Sequence, residues 1–353
     1  MKTETNAPIV KKDRWVWLRH IIADWDKTQL AISLVILGLL AFAPLFIKSP
    51  YYLGIVILAV LYAFVGMSWN IVAGFAGQLI IAHVTFVALG AYTTIVLNNT
   101  FGISPWIGIP ISGVTAALMG AVIAFFTLRY GLKADYFALF TIALMVALRT
   151  LFLKWEFVGG AIGMGLRLNE PTFAKMIFAS KVPYLYIALA LALIGTIAQY
   201  VVYRSKMGKY FVAIREDESA AAALGVNTSL YKTLALLIGS TLGGIGGGFY
   251  VMYVTFVEPP QVFDLALNVE LVLAGPIIGG LGSLMGPLLG ALVNKPLAEL
   301  IRGFLSVSRS GSSLIVYGSF LVIAILFMPR GIAGALYTPY QKLRARLMGE
   351  GKK

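Results

Sequence analysis

Long apolar runs alternate with short polar breaks along almost the whole chain. A helix crosses the hydrocarbon core of a bilayer in about 20 residues. Runs of that kind fall near 30–47, 52–73, 77–97, 106–128, 136–153, 184–203 and 232–256, and a last one lies near 312–328. Between 269 and 293 the chain stays apolar but is punctuated by Gly275-Pro276, Gly279-Gly280, Gly282 and Gly286-Pro287. Glycine and proline at that density break a helix. Non-helical backbone at membrane depth persists only when it is buried in protein or lines a cavity. The pattern predicts an all-α polytopic membrane protein of about eight full transmembrane helices plus a Gly/Pro-broken re-entrant pair.

Charge sets the orientation. The basic N-terminus (Lys11, Lys12, Arg14, Arg19) is expected on the cytoplasmic side, since Lys and Arg concentrate in cytoplasmic segments. Alternation then places Arg129, Lys133 and the 204–231 loop inside, and segment 258–268, which has acids but no Lys or Arg, outside. The tail after Met328 carries Arg330, Lys342, Arg344, Arg346, Lys352 and Lys353 and reads as cytoplasmic. That requires 269–293 to enter and return, as a re-entrant pair or two short helices, which leaves Lys295, Arg302 and Arg309 outside. The expected organisation is a cytoplasmic segment 1–29, a transmembrane domain 30–328 and a basic cytoplasmic tail 329–353. The 154–183 segment is the largest outer loop, with Gly159–Gly165 as its flexible part.

Composition agrees with this. The chain is 59% hydrophobic and 12% charged, where a soluble domain carries about 25% charged residues. The net charge of +13 sits at the ends and in inter-span loops, where it faces anionic lipid rather than nucleic acid. The N-terminus lacks the short apolar stretch and small-residue cleavage site of a secretory signal. Cysteine is absent, which excludes disulfides, thiolate metal sites and cysteine nucleophiles.

The most informative polar segment is 204–231. Glu216, Asp217 and Glu218 open an alanine run that stops at Gly225. Acids favour the positive end of a helix, alanine is the best helix former, and glycine is the usual residue just past the C-terminus. The expectation is one helix of roughly nine residues within 213–226, too short to stand alone in water and so suited to docking against a partner.

Catalytic machinery is not apparent. No Asp or Glu occurs from Gln29 to Ala134, whereas ion-driven carriers keep membrane carboxylates for the coupling ion. Glu270 and Glu299 are expected near span ends, within reach of water. His83 is the one histidine inside a run; a packed interior role outweighs a proton relay. Gln78 lies about 140° from it on a helix, so the two do not share a face. GIGGGF (Gly244–Phe249) reads as a helix-packing surface rather than a nucleotide loop.

These residues resemble a known family. SWNIVAGFAGQLIIAHVTFVALGAYT (Ser68–Thr93), ADYFALFTIAL (Ala134–Leu144), MGKYFVAIREDESAAAALGVNTSLYK (Met207–Lys232), LAGPIIGGLGSLMGPLLGAL (Leu273–Leu292) and FMPRGIAG (Phe327–Gly334) are similar to the M-type permease subunits of bacterial ABC importers for branched-chain amino acids. The resemblance covers about 60–335. Ser219-Ala220-Ala221-x-x-x-Gly225 fits the E-A-A-x-x-x-G coupling segment with serine in the glutamate place. Near residue 80 the family reads G-Q-x-S-x-G-H; here GQLIIAH has Ile81-Ala82 instead, which would alter substrate preference if the stretch faces the pathway.

The resemblance implies an ABC importer permease fold in the bacterial inner membrane, with both termini cytoplasmic. It implies a second permease subunit (a heterodimer), two cytosolic ATPases holding ATP and Mg, and a periplasmic binding protein. No cofactor is expected on this chain. Arg215, Glu216, Asp217, Glu218, Ala220, Ala221 and Gly225 would couple to the ATPase. Gly77, Gln78, His83, Gly275, Gly279, Gly280 and Gly282 are candidates for the substrate pathway. The alternatives are a sugar-type importer permease, an ion-coupled secondary carrier, and a purely structural membrane subunit.

Overall fold

The computed structural model describes residues 24–132, 134–167, 170–305 and 312–348. Lys11, Lys12, Arg14, Arg19, Lys133, Arg309, Lys352 and Lys353 lie outside the described residues. The elements are α1 Trp25–Ala41, α2 Pro50–Trp69, α3 Val84–Phe101, α4 Pro105–Arg129, α5 Ala134–Lys154, α6 Val182–Arg204, α7 Lys206–Glu216 and α8 Glu218–Ala223. There follow α9 Thr228–Val254, α10 Leu265–Gly279, α11 Gly286–Leu305, α12 Ser312–Phe327 and α13 Gly331–Met348. Among the described residues, eight helical stretches are long and apolar enough to cross a membrane. This is an all-α polytopic membrane protein.

Helix starts follow local chemistry. Pro50 and Pro105 occupy the first turn, where a missing N–H costs nothing. Asp24 caps α1 by accepting a hydrogen bond from Asp26 N. That cap starts α1 at Trp25, earlier than the apolar run suggests, and the Trp25 ring packs 4.4 Å from Tyr340 of α13. Within the basic tail, Gly331–Met348 is helical.

The bundle is built around α2. In its apolar window 83% of residues are buried, against 6% for Ile315–Gln341 at the periphery. α9 packs against both α3 and α4 through the expected glycine surface. A Cβ on Gly90 would lie 2.0 Å from Gly244 O, and one on Gly247 would lie 1.9 Å from Val87 O, so only glycine allows the backbones this close.

The two ends of the bundle differ. One, the loop end, carries 76–79, 205–227, 280–285 and 328–330. The other, the far end, carries 155–181 and 255–264. There Gly159–Gly165 is not a loose loop. It holds a 3-10 turn over Gly160–Ile162 and a strand, β1 Met164–Gly165, paired antiparallel with β2 Phe256–Val257. Asn99 Nδ2 donates to Gly165 O at 2.9 Å, and Trp106 Nε1 donates to Phe173 O at 2.8 Å.

The Gly/Pro-broken segment resolves into two helices. α10 descends from the far end, contains a π-helical stretch over Val269–Leu273, and meets α11 through a turn at the loop end. Gln29 Oε1 of α1 accepts Leu284 N at 2.9 Å, and Asn70 Oδ1 accepts Gly282 N at 2.8 Å, which pins that turn. α11 then returns to the far end. This brings the C-terminal helix to the same end as the 205–227 segment, as the parity count required.

Candidate functional site

At the loop end the chain makes two short helices where one was expected. Ser205 Oγ accepts Gly208 N at 3.2 Å and starts α7, which buries Phe211 and Ile214. α7 stops at Glu216. Asp217 turns extended (φ −157, ψ 106), and its side chain accepts Ala220 N at 2.9 Å to cap α8. An N-cap needs a non-helical backbone, so the same carboxylate that nucleates α8 breaks the continuous helix expected over 213–226. Gly225 (φ +85) ends α8 in the left-handed conformation, and Val226 N reaches Ala221 O at 3.1 Å.

The exposed face of α8 differs from the motif's face. Ala221 is 3% exposed and turned into the protein, whereas Ala220, Ala222 and Ala223 face out. Leu224, which the sequence reading did not single out, is 86% exposed. A lone leucine before the terminating glycine of a polar loop is the signal that could have found it.

Arg215 and Glu216 close α7 on the side facing the bundle. Arg215 Nη1 donates to Gly74 O at 2.7 Å, and its Nη2 pairs with Glu216 Oε1 at 2.7 Å. Gly74 belongs to the π-helical turn Asn70–Phe75 that ends α2. Gly77 (φ +69) passes against the same arginine; a Cβ there would lie 2.8 Å from Arg215 Cγ. Gln78 Nε2 donates to Lys232 O at 2.8 Å, and Lys232 pairs with Glu218. A Cβ on Gly282 would meet Arg215 Nη1 at 2.8 Å. Asn70 completes the joint: its Nδ2 donates to Gln199 Oε1 at 2.7 Å and Ser283 O at 3.0 Å.

Gly77, Gln78 and Gly282 thus gather with Arg215, Glu216 and Glu218 in one joint at the loop end. The expected span over 77–97 begins only at Val84, and residues 76–83 are a packed non-helical segment. Gln78 and His83 are separate for that reason, not because of helical angle. Ile80 and Ala82 are buried, and Asn268 Oδ1 accepts Val84 N at 2.9 Å while its Nδ2 donates to Ile81 O.

Of the other pathway candidates, Gly280 shares the joint's turn with Gly282, and His83, Gly275 and Gly279 lie elsewhere. His83 is fully buried, with Nε2 2.9 Å from Ser68 Oγ and its ring edge-on to Phe86 at 5.1 Å. Gly275 and Gly279 let α10 and α11 touch; a Cβ on Gly279 would sit 1.7 Å from Gly286 O. Gly280 (φ +115) turns the chain beside Arg330 O.

Glu270 and Glu299 are not left to water at span ends. Glu270 stands in the π-helical stretch of α10, buried, with Oε1 3.1 Å from Lys295 Nζ. Lys295 also holds Glu299 Oε1 at 2.5 Å, and Arg302 pairs with Glu270 and, at 3.3 Å, with Glu299. The i, i+4 and i, i+3 spacing of Lys295, Glu299 and Arg302 was the available signal. Two of the basic residues that counted against the parity solution are therefore paired with acids of one cluster.

The comparisons agree with this architecture. Residues 51–327 match the family described as branched-chain amino acid transport system, permease component. The chain is 29% identical to the high-affinity branched-chain amino acid transport system permease protein LivM of Escherichia coli (strain K12), over 88% of this chain and 76% of the relative. LivM of Salmonella typhimurium is 27% identical, over 91% of this chain and 79% of the relative. The nucleoside ABC transporter permease protein NupC of Lactococcus lactis is 24% identical, over 69% and 82%. No solved structure matches. With more than half its length in that match, the chain belongs to the branched-chain amino acid ABC transport permease family.

Proposed function

We propose that this protein is one of two membrane subunits of an importer that carries branched-chain amino acids, or related small amides and carboxylates, into a bacterial cell. Two cytosolic ATPases and a periplasmic binding protein complete the assembly, and ATP hydrolysis takes place on the ATPases. The chain lies in the inner membrane with the loop end, and both termini, in the cytoplasm. The observation that carries this reading is the joint at the loop end. α7 and α8 present Ala220, Ala222, Ala223 and Leu224 outward, while Arg215 ties the same segment to the end of α2 and the α10–α11 turn. A push on α8 is therefore delivered to helices that meet in the core.

Co-expression with the neighbouring ATPase, permease and binding-protein genes, followed by uptake of labelled leucine into proteoliposomes, tests the reading. ATP-dependent uptake supports it. Uptake driven by an ion gradient without the ATPases would make the chain a secondary carrier and overturn it. A nucleoside cargo is the second reading, favoured by the Lactococcus lactis relative. Uptake of labelled uridine but not leucine would select it.

A further inference from the structure

The Glu270–Lys295–Glu299–Arg302 cluster is unusual in its depth and its balance. Glu270 lies ten residues before the turn at Gly280, and Lys295 nine residues after α11 begins at Gly286. At about 1.5 Å per residue both stand about 15 Å from the loop end, near the middle of a hydrocarbon layer about 30 Å thick. Charges at that depth are costly and face protein or a water-filled cavity. Lys295 is enclosed, with its side chain 3% exposed and its Nζ 5.1 Å from the Tyr62 ring centre. Arg302 is different: its side chain is 46% exposed.

That exposed guanidinium borders a cavity of ≈ 380 Å³. Asp264, Glu270, Arg302 and Tyr317 supply its polar wall, and Leu267, Ala298 and Leu321 its apolar wall. Glu270 is placed there by the π-helical stretch, a distortion frequent at functional sites. Asn294 holds the backbone in place, donating to Glu270 O at 3.2 Å and accepting from Tyr317 OH at 2.9 Å.

We propose that this cavity is a binding site, at membrane depth, for a small zwitterion with an aliphatic side chain, which deepens and rests on the amino-acid importer reading. Two acids and two bases cancel in the cluster. A ligand with one charge of each sign can exchange with the Glu270–Arg302 pair and leave no charge unpaired. Its carboxylate takes the Arg302 guanidinium, and its ammonium takes the Glu270 oxygen that Arg302 releases. Lys295 keeps hold of the other Glu270 oxygen and of Glu299. The apolar wall covers the side chain. A plain anion would leave the released Glu270 oxygen unpaired, and a plain cation would cost Arg302 its Glu270 partner, so the site favours a ligand that carries both charges.

The absence of cysteine makes a thiol-protection test direct. Gly318 lines the cavity, and a Cβ built there meets nothing within 4 Å. In the assembled transporter, with thiol-free partner subunits, Gly318→Cys is treated with a cationic methanethiosulfonate. L-leucine at about ten times its Kd should slow modification roughly tenfold. 4-Methylpentanoate and 3-methylbutylamine, each lacking one charge, should not protect. Adding Arg302→Gln should abolish protection by leucine while the thiol stays reactive. An unreactive thiol would put the cavity against lipid and overturn the site, as would equal protection by the singly charged analogues. Leucine uptake by the same vesicles without protection overturns the site alone. Absence of ATP-driven leucine uptake in the unsubstituted transporter overturns the importer reading and this ligand with it.

Discussion

Arg215 reaches across the loop end to the Gly74 carbonyl at 2.7 Å, joining the last turn of α7 to the last turn of α2. A hydrogen bond from a charged donor contributes about 1.5–3 kcal/mol. If force passes through it, Arg215→Ala should lower leucine uptake per ATP hydrolysed by roughly ten- to a hundredfold, since about 1.4 kcal/mol is a factor of ten. Parallel uptake and ATPase assays on reconstituted transporter measure this ratio. A ratio equal to wild type would remove Arg215 from the coupling route.

Gly77 and Gly102 both have positive φ, at +69 and +66, but a Cβ at Gly102 meets open space. Gly102→Ala should therefore cost only the left-handed backbone penalty, about 1–2 kcal/mol. Gly77→Ala adds a clash with Arg215 and should lower the melting temperature further, and reduce uptake as well. Thermal unfolding in detergent followed by size exclusion compares the two. Equal losses would show that the Arg215 contact does not constrain Gly77.

Leu224 and Ala221 separate docking from internal packing. Leu224→Arg changes an exposed position and should shift stability by no more than about 0.5 kcal/mol. It should nevertheless release the ATPase subunits in a pull-down. Ala221→Arg forces a charge into a buried place and should destabilise the permease itself. If Leu224→Arg retains its ATPases and full uptake, α8 is not the docking helix.

Lys295 sits between two acids, and its removal leaves negative charge buried. Lys295→Met should destabilise the permease by about 3–5 kcal/mol, the usual cost of breaking a buried ion pair from one side. The double variant Lys295→Met with Glu270→Gln should recover much of that loss. Melting temperatures of the two singles and the double form the cycle. Strictly additive effects would mean that Lys295 and Glu270 do not interact.

Some of this was legible in one dimension because it depends on neighbours along the chain. Hydropathy marked the spans, and Gly225 marked the end of α8 through capping chemistry that involves residues only a few positions away, whereas the break at Asp217 was not read from the sequence. The glycine surface of Gly244–Phe249 was likewise visible, since small residues in an apolar run have few uses besides close packing. The joint was hidden. Gln78 reads as part of an apolar span, yet it belongs to a non-helical segment held by Lys232, 154 positions away. Nothing in local periodicity signals that an apolar stretch will be stabilised as packed loop by distant partners.

The amino-acid sequence alone determined a multi-pass helical membrane protein of this permease family, because burial of apolar length in lipid and the turn chemistry of glycine and proline act locally. Only the tertiary structure decided that Arg215 meets Gly74, that the α10–α11 turn returns to the loop end, and that Glu270 is buried against Lys295 and Arg302. Those outcomes depend on which helices lie side by side. Charges and glycines take their roles from that arrangement rather than from their spacing along the chain.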